Sequence, residues 1–142
     1  TCALPIYEAT IYKNAYGGLY NWFAVNTNKL CPKGWHVPTD IEWTILITYL
    51  GDVPGDKLKE AGTIHWENPN TGTNEAGFSA VPGGHRDING FFNLIRYHGY
   101  WWSSSESSST AGWNRSMLND NHNVGRLGYP MKSAISVRCL KD

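Results

Sequence analysis

The chain has 142 residues, the size of one domain able to bury a core of its own. Its twelve basic and twelve acidic residues cancel, leaving no electrostatic footprint for nucleic acid or for an anionic membrane. No stretch approaches the roughly 18 apolar residues of a membrane span, and "TCALPIYEAT" lacks the basic and apolar regions of a signal peptide, so either a leader has been removed or this is a domain excised from a longer protein.

Seven Trp, eight Tyr and fifteen Gly predict short strands and loops around a core filled with rings. The same composition is used by secreted sugar- and protein-binding modules, because Tyr and Trp combine contact area with a polar handle. In chain order, the N-terminal stretch holding Cys2 carries no structural signal. Tyr16, Leu19, Tyr20 and Phe23 stand at helical spacing and predict a short amphipathic helix across Gly17 and Gly18. "NTNKLCPKGWHVP" reads as a connecting loop. A second helix is predicted from Thr39, which forms a capping box with Glu42. Its stripe of Trp43, Leu46, Ile47 and Leu50 faces the core, and Gly51 ends it. Residues 51–76 are polar and loop-like, with one short turn in "KLKEAG". The segments "GFSAVPGG", "GYWWSSSE", "GWNRSML" and "AISVRCL" predict strands, the last with Ile135, Val137 and Cys139 on one face. Helices followed by antiparallel strands make a single α+β domain over residues 1–142.

Three cysteines leave one unpaired. Cys31 and Cys139 are the expected pair, which would close about a hundred residues for roughly 4–5 kcal/mol of stabilisation and would place the protein in an oxidising compartment. The alternative is that both remain reduced, as small buried residues.

The blocks "YGGLYNWFAV", "LCPKGWHVPTDIEWTILITYLG", "KLKEAGTIHWENPNTGTNEAGFSAVPGGHRD", "GYWWSSSE" and "SVRCLKD" occur in the order seen in the Fibrobacter succinogenes major paralogous domain, which the chain resembles from residue 16 to its end. "HVPTDIEW" is also similar to a block of formylglycine-generating-enzyme-like domains. Together these resemblances imply a C-type lectin-like fold, two helices flanking a small twisted antiparallel sheet with long loops, into which a Cys31–Cys139 bond fits. They also imply a secreted or surface-attached bacterial protein, often a lipoprotein, or a phage-associated one. Three features depart from the family. "TCALPIYEATIYKN" lacks the usual opening strand, so residues 1–13 read as truncated or foreign. Ala134-Ile135 replaces Gly-Phe, and His85 stands where Tyr is common.

The enzyme chemistry of the formylglycine relatives needs two neighbouring reactive cysteines to hold copper, and this chain offers no such pair. His36 reads as a packed imidazole satisfied by backbone, and "GGHRD" as a strand end with a surface ion pair. Glu67-Asn68-Pro69-Asn70 and Trp113-Asn114-Arg115 only approximate the calcium-dependent sugar site of C-type lectins, whose cation needs six to eight oxygens. The expectation is therefore no cofactor, no metal and no catalysis.

The informative stretch is 111–134, "AGWNRSMLNDNHNVGRLGYPMKSA". Trp113, Arg115, Val124 and Arg126 match fixed family positions. Around them Asn114, Ser116, Leu118, Asn119, Asp120, Asn121, His122, Gly125, Leu127 and Tyr129 share no chemistry, as a binding face requires. With Trp113, these residues are the expected ligand contacts, bordered by Trp101, Trp102 and the serine run 103–110. The partner would be a protein or a glycan. C-type lectin-like domains of this kind are targets of diversity-generating retroelements, which randomise adenine-containing codons such as those of Asn. The four Asn of the window fit that origin, and they equally fit simple loop drift.

Overall fold

The computed structural model describes the backbone from Ile6 and side chains from Thr10 to Asp142, so Cys2 and the first five of the residues 1–13 that read as truncated or foreign lie outside the described residues. Two helices of eleven residues, α1 (Ile6–Tyr16) and α3 (Asp40–Leu50), are joined by two short ones, α2 (Trp22–Val25) and α4 (Pro54–Leu58). The strands are β1 (Tyr20–Asn21), β2 (Trp35–His36), β3 (His85–Arg86), β4 (Phe92–Asn93), β5 (His98–Ser108), β6 (Ala111–Leu118), β7 (Gly125–Pro130), β8 (Ala134–Ile135) and β9 (Leu140–Lys141). They form three antiparallel sheets, ordered β1-β8-β3-β4, β2-β9 and β5-β6-β7. The domain is α+β, with its strands in three sheets rather than one.

The helix predicted across Tyr16–Phe23 is corrected. The helix lies earlier and stops at Tyr16, because Gly17 takes the left-handed conformation with φ 79°. Tyr20–Asn21 is extended and pairs with Ala134–Ile135, and the Asn21 side chain then caps α2 by accepting from the Ala24 amide at 3.0 Å. Around α3 the expectation holds. Thr39 Oγ1 accepts from the Glu42 amide, Glu42 Oε2 accepts from the Thr39 amide at 2.8 Å, and Gly51 caps the end. "GFSAVPGG" makes only the isolated bridge of Ala80 to Lys59, and "AISVRCL" divides into β8 and β9.

Two apolar clusters flank β5. One collects Trp22, Val25, Val37, Tyr100, Trp102, Met131 and Ile135; the other Trp43, Leu58, Trp66, Ala80, Trp101 and Met117. Alternation along β5 sends Tyr100 and Trp102 into the first and Trp101 into the second. Burying an indole requires a partner for its N–H. Trp22 donates to Ser103 O, Trp43 to Trp102 O, Trp66 to Ala80 O and Trp102 to Tyr20 O. Trp35, by contrast, is exposed on β2.

Cys31 and Cys139 are bonded, with their Cα atoms 5.7 Å apart. Beside the disulfide, β2 pairs with β9. The His36 imidazole is held by two carboxylates rather than by backbone: Nδ1 lies 2.6 Å from Asp142 Oδ1 and Nε2 lies 3.0 Å from Glu42 Oε1. Only the cation can donate from both nitrogens, and the hydrogen bonds to Asp142 and Glu42 raise its pKa above 6.5. Among the described residues Asp87 likewise makes no ion pair. Its Oδ1 accepts from the turn amides of Asn89 and Phe91. Among the described residues no helix is long and apolar enough to cross a membrane.

Candidate ligand-binding face

The candidate face is built on β6, the turn after it and β7. Cross-strand partners share a face of a sheet, so the register sorts the segment. Trp102, Asn114 and Leu127 stand in one row, Tyr100, Ser116 and Gly125 in the next, and Trp101, Arg115 and Arg126 on the opposite face. Because clusters cover both faces over β5 and β6, three of the expected contacts are interior: Asn114, Ser116 and Asn119 are buried. The bordering Trp101 and Trp102 are buried too, and most of the serine run belongs to β5. Asp120, Asn121, His122, Leu127 and Gly128 are exposed; Trp113, Leu118, Gly125 and Tyr129 are half-buried.

The underside is fixed by charge. Arg115, 1% exposed, places Nη1 2.6 Å from Asp40 Oδ1 and donates through Nη2 to Asp40 O and Thr44 Oγ1. Arg126 binds the same carboxylate from β7, with Nε 3.1 Å from each oxygen and Nη2 2.9 Å from Oδ2. Its guanidinium also lies 3.4 Å from the centroid of the Trp113 ring. Burial alone would push the Asp40 carboxyl up, but hydrogen bonds and attraction from Arg126 and Arg115 hold it below its ordinary 3.8. The first residue of α3 thus ties β6 and β7 to the helix.

The turn after β6 is held just as firmly. The Asn119 amide donates to Tyr97 O, and Asn121 Oδ1 accepts from the Asn123 amide. Gly55 donates to His122 O, and a Cβ at that position would sit 2.6 Å from Asn123 O, so only glycine lets α4 approach. His122 Nδ1 lies 2.6 Å from Asp56 Oδ2. Lys59, fully buried, directs Nζ at the main-chain oxygens of Leu118, Asn119 and Asn121. The sequence hid Lys59, which reads as one more polar loop residue, and it hid β7, whose alternation is broken by two glycines.

Tyr129 belongs to an aromatic group on the other face of the sheet, the one that also carries Leu127. Its hydroxyl is hydrogen-bonded to His85 Nδ1, its ring stacks on Tyr100 at 5.7 Å, and His98 Nδ1 lies 2.7 Å from Tyr100 Oη. Burial pushes the Tyr129 phenol up to about 12 and pulls His85 and His98 below 6.5. Asn114 differs from these partnered groups, since neither polar atom of its buried side-chain amide has a hydrogen-bond partner among the described residues.

The two lectin-like fragments are engaged elsewhere. Glu67 Oε2 accepts from Arg96 Nε at 3.0 Å, and Asn70 turns back to Glu60 O and Gly62 O. Among the described residues no group of three or more His, Cys, Asp or Glu converges as a metal site.

Comparison with curated proteins finds no match, and comparison with solved structures finds none either. The model of the Fibrobacter succinogenes major domain matches residues 6–141, almost the whole chain, and the protein belongs to that family.

Proposed function

We propose that this domain is a non-enzymatic ligand-binding module of C-type lectin-like fold, working outside the cell or on its surface. Its contact surface is the β6–β7 turn and the outer side of β7, and its partner is a protein or a glycan, bound without a cofactor. One observation carries the reading: Asp120, Asn121, His122 and Leu127, four unlike side chains, are exposed on a segment whose neighbours Arg115, Met117 and Asn119 are locked inside. Exposed diversity over a rigid support suits recognition by shape and mixed polar contacts.

The Cys31–Cys139 bond supports an oxidising compartment. The pairing of β2 with β9 brings early and late parts of the chain together, in keeping with the lectin-like topology.

The test is a triple substitution, Asp120→Ala, His122→Ala and Leu127→Ala. Wild-type protein is used to capture partners from a glycan array, with and without calcium, and from a panel of cell-surface proteins. The triple variant loses capture while its stability changes by about 1 kcal/mol or less, as exposed positions allow. Capture that survives the three changes refutes the contact surface. Sequencing the locus in related cells tests diversification, which requires substitutions concentrated in residues 113–131.

A second reading, a structural spacer packed against a neighbouring domain, draws on two apolar surfaces. Ile41, Ile45 and Tyr49 form an exposed stripe on α3 (71%, 62% and 86%), and Ile88, Phe91 and Phe92 are exposed around the β3–β4 turn. Tandem copies of the domain in one chain would favour it.

A further inference from the structure

Lys59 is held in an unusual way. Its Nζ has five oxygens close by: Thr71 Oγ1 at 2.6 Å, Asn121 O at 2.8 Å, Leu118 O at 2.9 Å, Asn119 O at 3.3 Å and Asp56 Oδ1 at 3.5 Å. An ammonium has three protons, so the oxygens outnumber what ordinary hydrogen bonding requires. Three of them are carbonyls of one short turn, and their dipoles would repel one another without a charge between them. The Trp66 ring lies below, 5.7 Å from Nζ. Convergent carbonyls, a hydroxyl and one carboxylate make the kind of oxygen shell that a hard cation collects.

We propose that this shell is a cation site whose cation is supplied by the chain itself, and that with Lys59 truncated it accepts a free primary alkylammonium ion. The tethered ammonium does for the 118–123 turn what a bound ion does in a metal-ordered loop: it fixes the carbonyls and hence the backbone that presents Asp120 and His122. Asp56 joins the two halves, since its Oδ1 accepts from Thr71 and faces Nζ while its Oδ2 faces His122. Burial pulls the Lys59 ammonium below its ordinary 10.5, and attraction to Asp56 opposes that. The importance of the turn for recognition rests on the contact surface proposed above; the cation site does not.

The experiment uses two variants of the full chain. Lys59→Ala removes the atoms that n-propylammonium would replace, whereas Lys59→Met fills the space without a charge. Thermal unfolding and the amide NMR shifts of residues 118–123 are followed with n-propylammonium chloride, with 1-propanol, and with sodium chloride at matched ionic strength. Leaving a buried shell without its charge lowers the Tm of both variants by about 10 °C. For Lys59→Ala, n-propylammonium restores at least half of the loss saturably and returns the turn shifts towards those of the wild type, while propanol does not. Should Lys59→Ala fail to fold alone, refolding in the presence of each additive makes the same comparison. Equal response to propanol, no response to the ammonium, or a Lys59→Met protein with wild-type Tm and turn shifts overturns the proposal. The readouts are stability and turn conformation rather than ligand capture, so a failed contact surface would leave this result intact.

Discussion

Replacing Asp40 with Asn keeps the side chain's shape and removes one negative charge, which isolates what that charge does beneath β6 and β7. In the wild type it neutralises Arg115, whose guanidinium is 1% exposed and whose other hydrogen bonds go to neutral oxygens. Removing one partner of a buried ion pair costs about 3–5 kcal/mol, because the other is left charged and desolvated. For a domain of this size that corresponds to a Tm about 10–17 °C lower. Arg126 binds the same carboxylate from an exposed position, so Arg126→Gln loses only a surface pair and an exposed cation–π contact, about 1–2 kcal/mol. If the charge of Arg115 is the cause, the double variant Asp40→Asn/Arg115→Met is more stable than Asp40→Asn alone, since an apolar side chain removes the stranded cation. Urea denaturation of the four proteins at pH 7 gives the values. The carboxyl titrates below 3.8 in the folded state, so its contribution is present above 3.8 and lost as pH falls through that lower folded value. The wild type and Asp40→Asn therefore converge in acid. A cost for Asp40→Asn below about 1 kcal/mol, or no recovery in the double variant, refutes the argument.

Three further predictions follow from other parts of the molecule. Cys31→Ala/Cys139→Ala opens a link across 108 residues and lowers stability by about 4–5 kcal/mol, read as a shift in urea midpoint that reductant reproduces in the wild type. His36, with its pKa raised, stabilises the fold fully below 6.5 and loses that contribution as pH rises through its folded value. His36→Gln is therefore less stable than wild type at pH 5.5, by up to about 1 kcal/mol for so exposed a pair, and the gap closes in alkaline buffer. Asn114→Leu removes two buried polar atoms without partners and raises stability by about 1–3 kcal/mol in the same assay.

The parts legible in the sequence are those specified over a few residues. Thr39 and Glu42 announce a helix start because both halves of the capping box lie within one turn, and the runs that became β5 and β6 are aromatic or mixed stretches bounded by glycine. What was not legible depends on distant partners. Tyr16, Leu19, Tyr20 and Phe23 have helical spacing, but Gly17 stops the helix and Ile135, over a hundred residues away, recruits Tyr20 into a sheet. Asn114 and Ser116 read as exposed because they are polar, yet clusters on both faces of the sheet enclose them. Lys59 looks solvated until the carbonyls of 118–121 come to surround it. Much of the candidate face was therefore visible as a region, and little of it as a sorting of residues into surface and support.

The pairing of β1 with β8, of β3 with β8 and of β2 with β9 has a consequence for the order in which the molecule is made. A chain emerging from its N-terminal side can form α3 early, since that helix is locally encoded. Three of its strands must wait for residues 134–141, and the thiol of Cys31 waits for a partner 108 positions later. Until then β1, β2 and the β3–β4 hairpin lack these partners, and Trp22 and Trp102 lack Ile135. Oxidation of this disulfide therefore cannot precede synthesis of residue 139, and a chain that ends before residue 134 lacks the β8 and β9 partners of β1, β2 and β3.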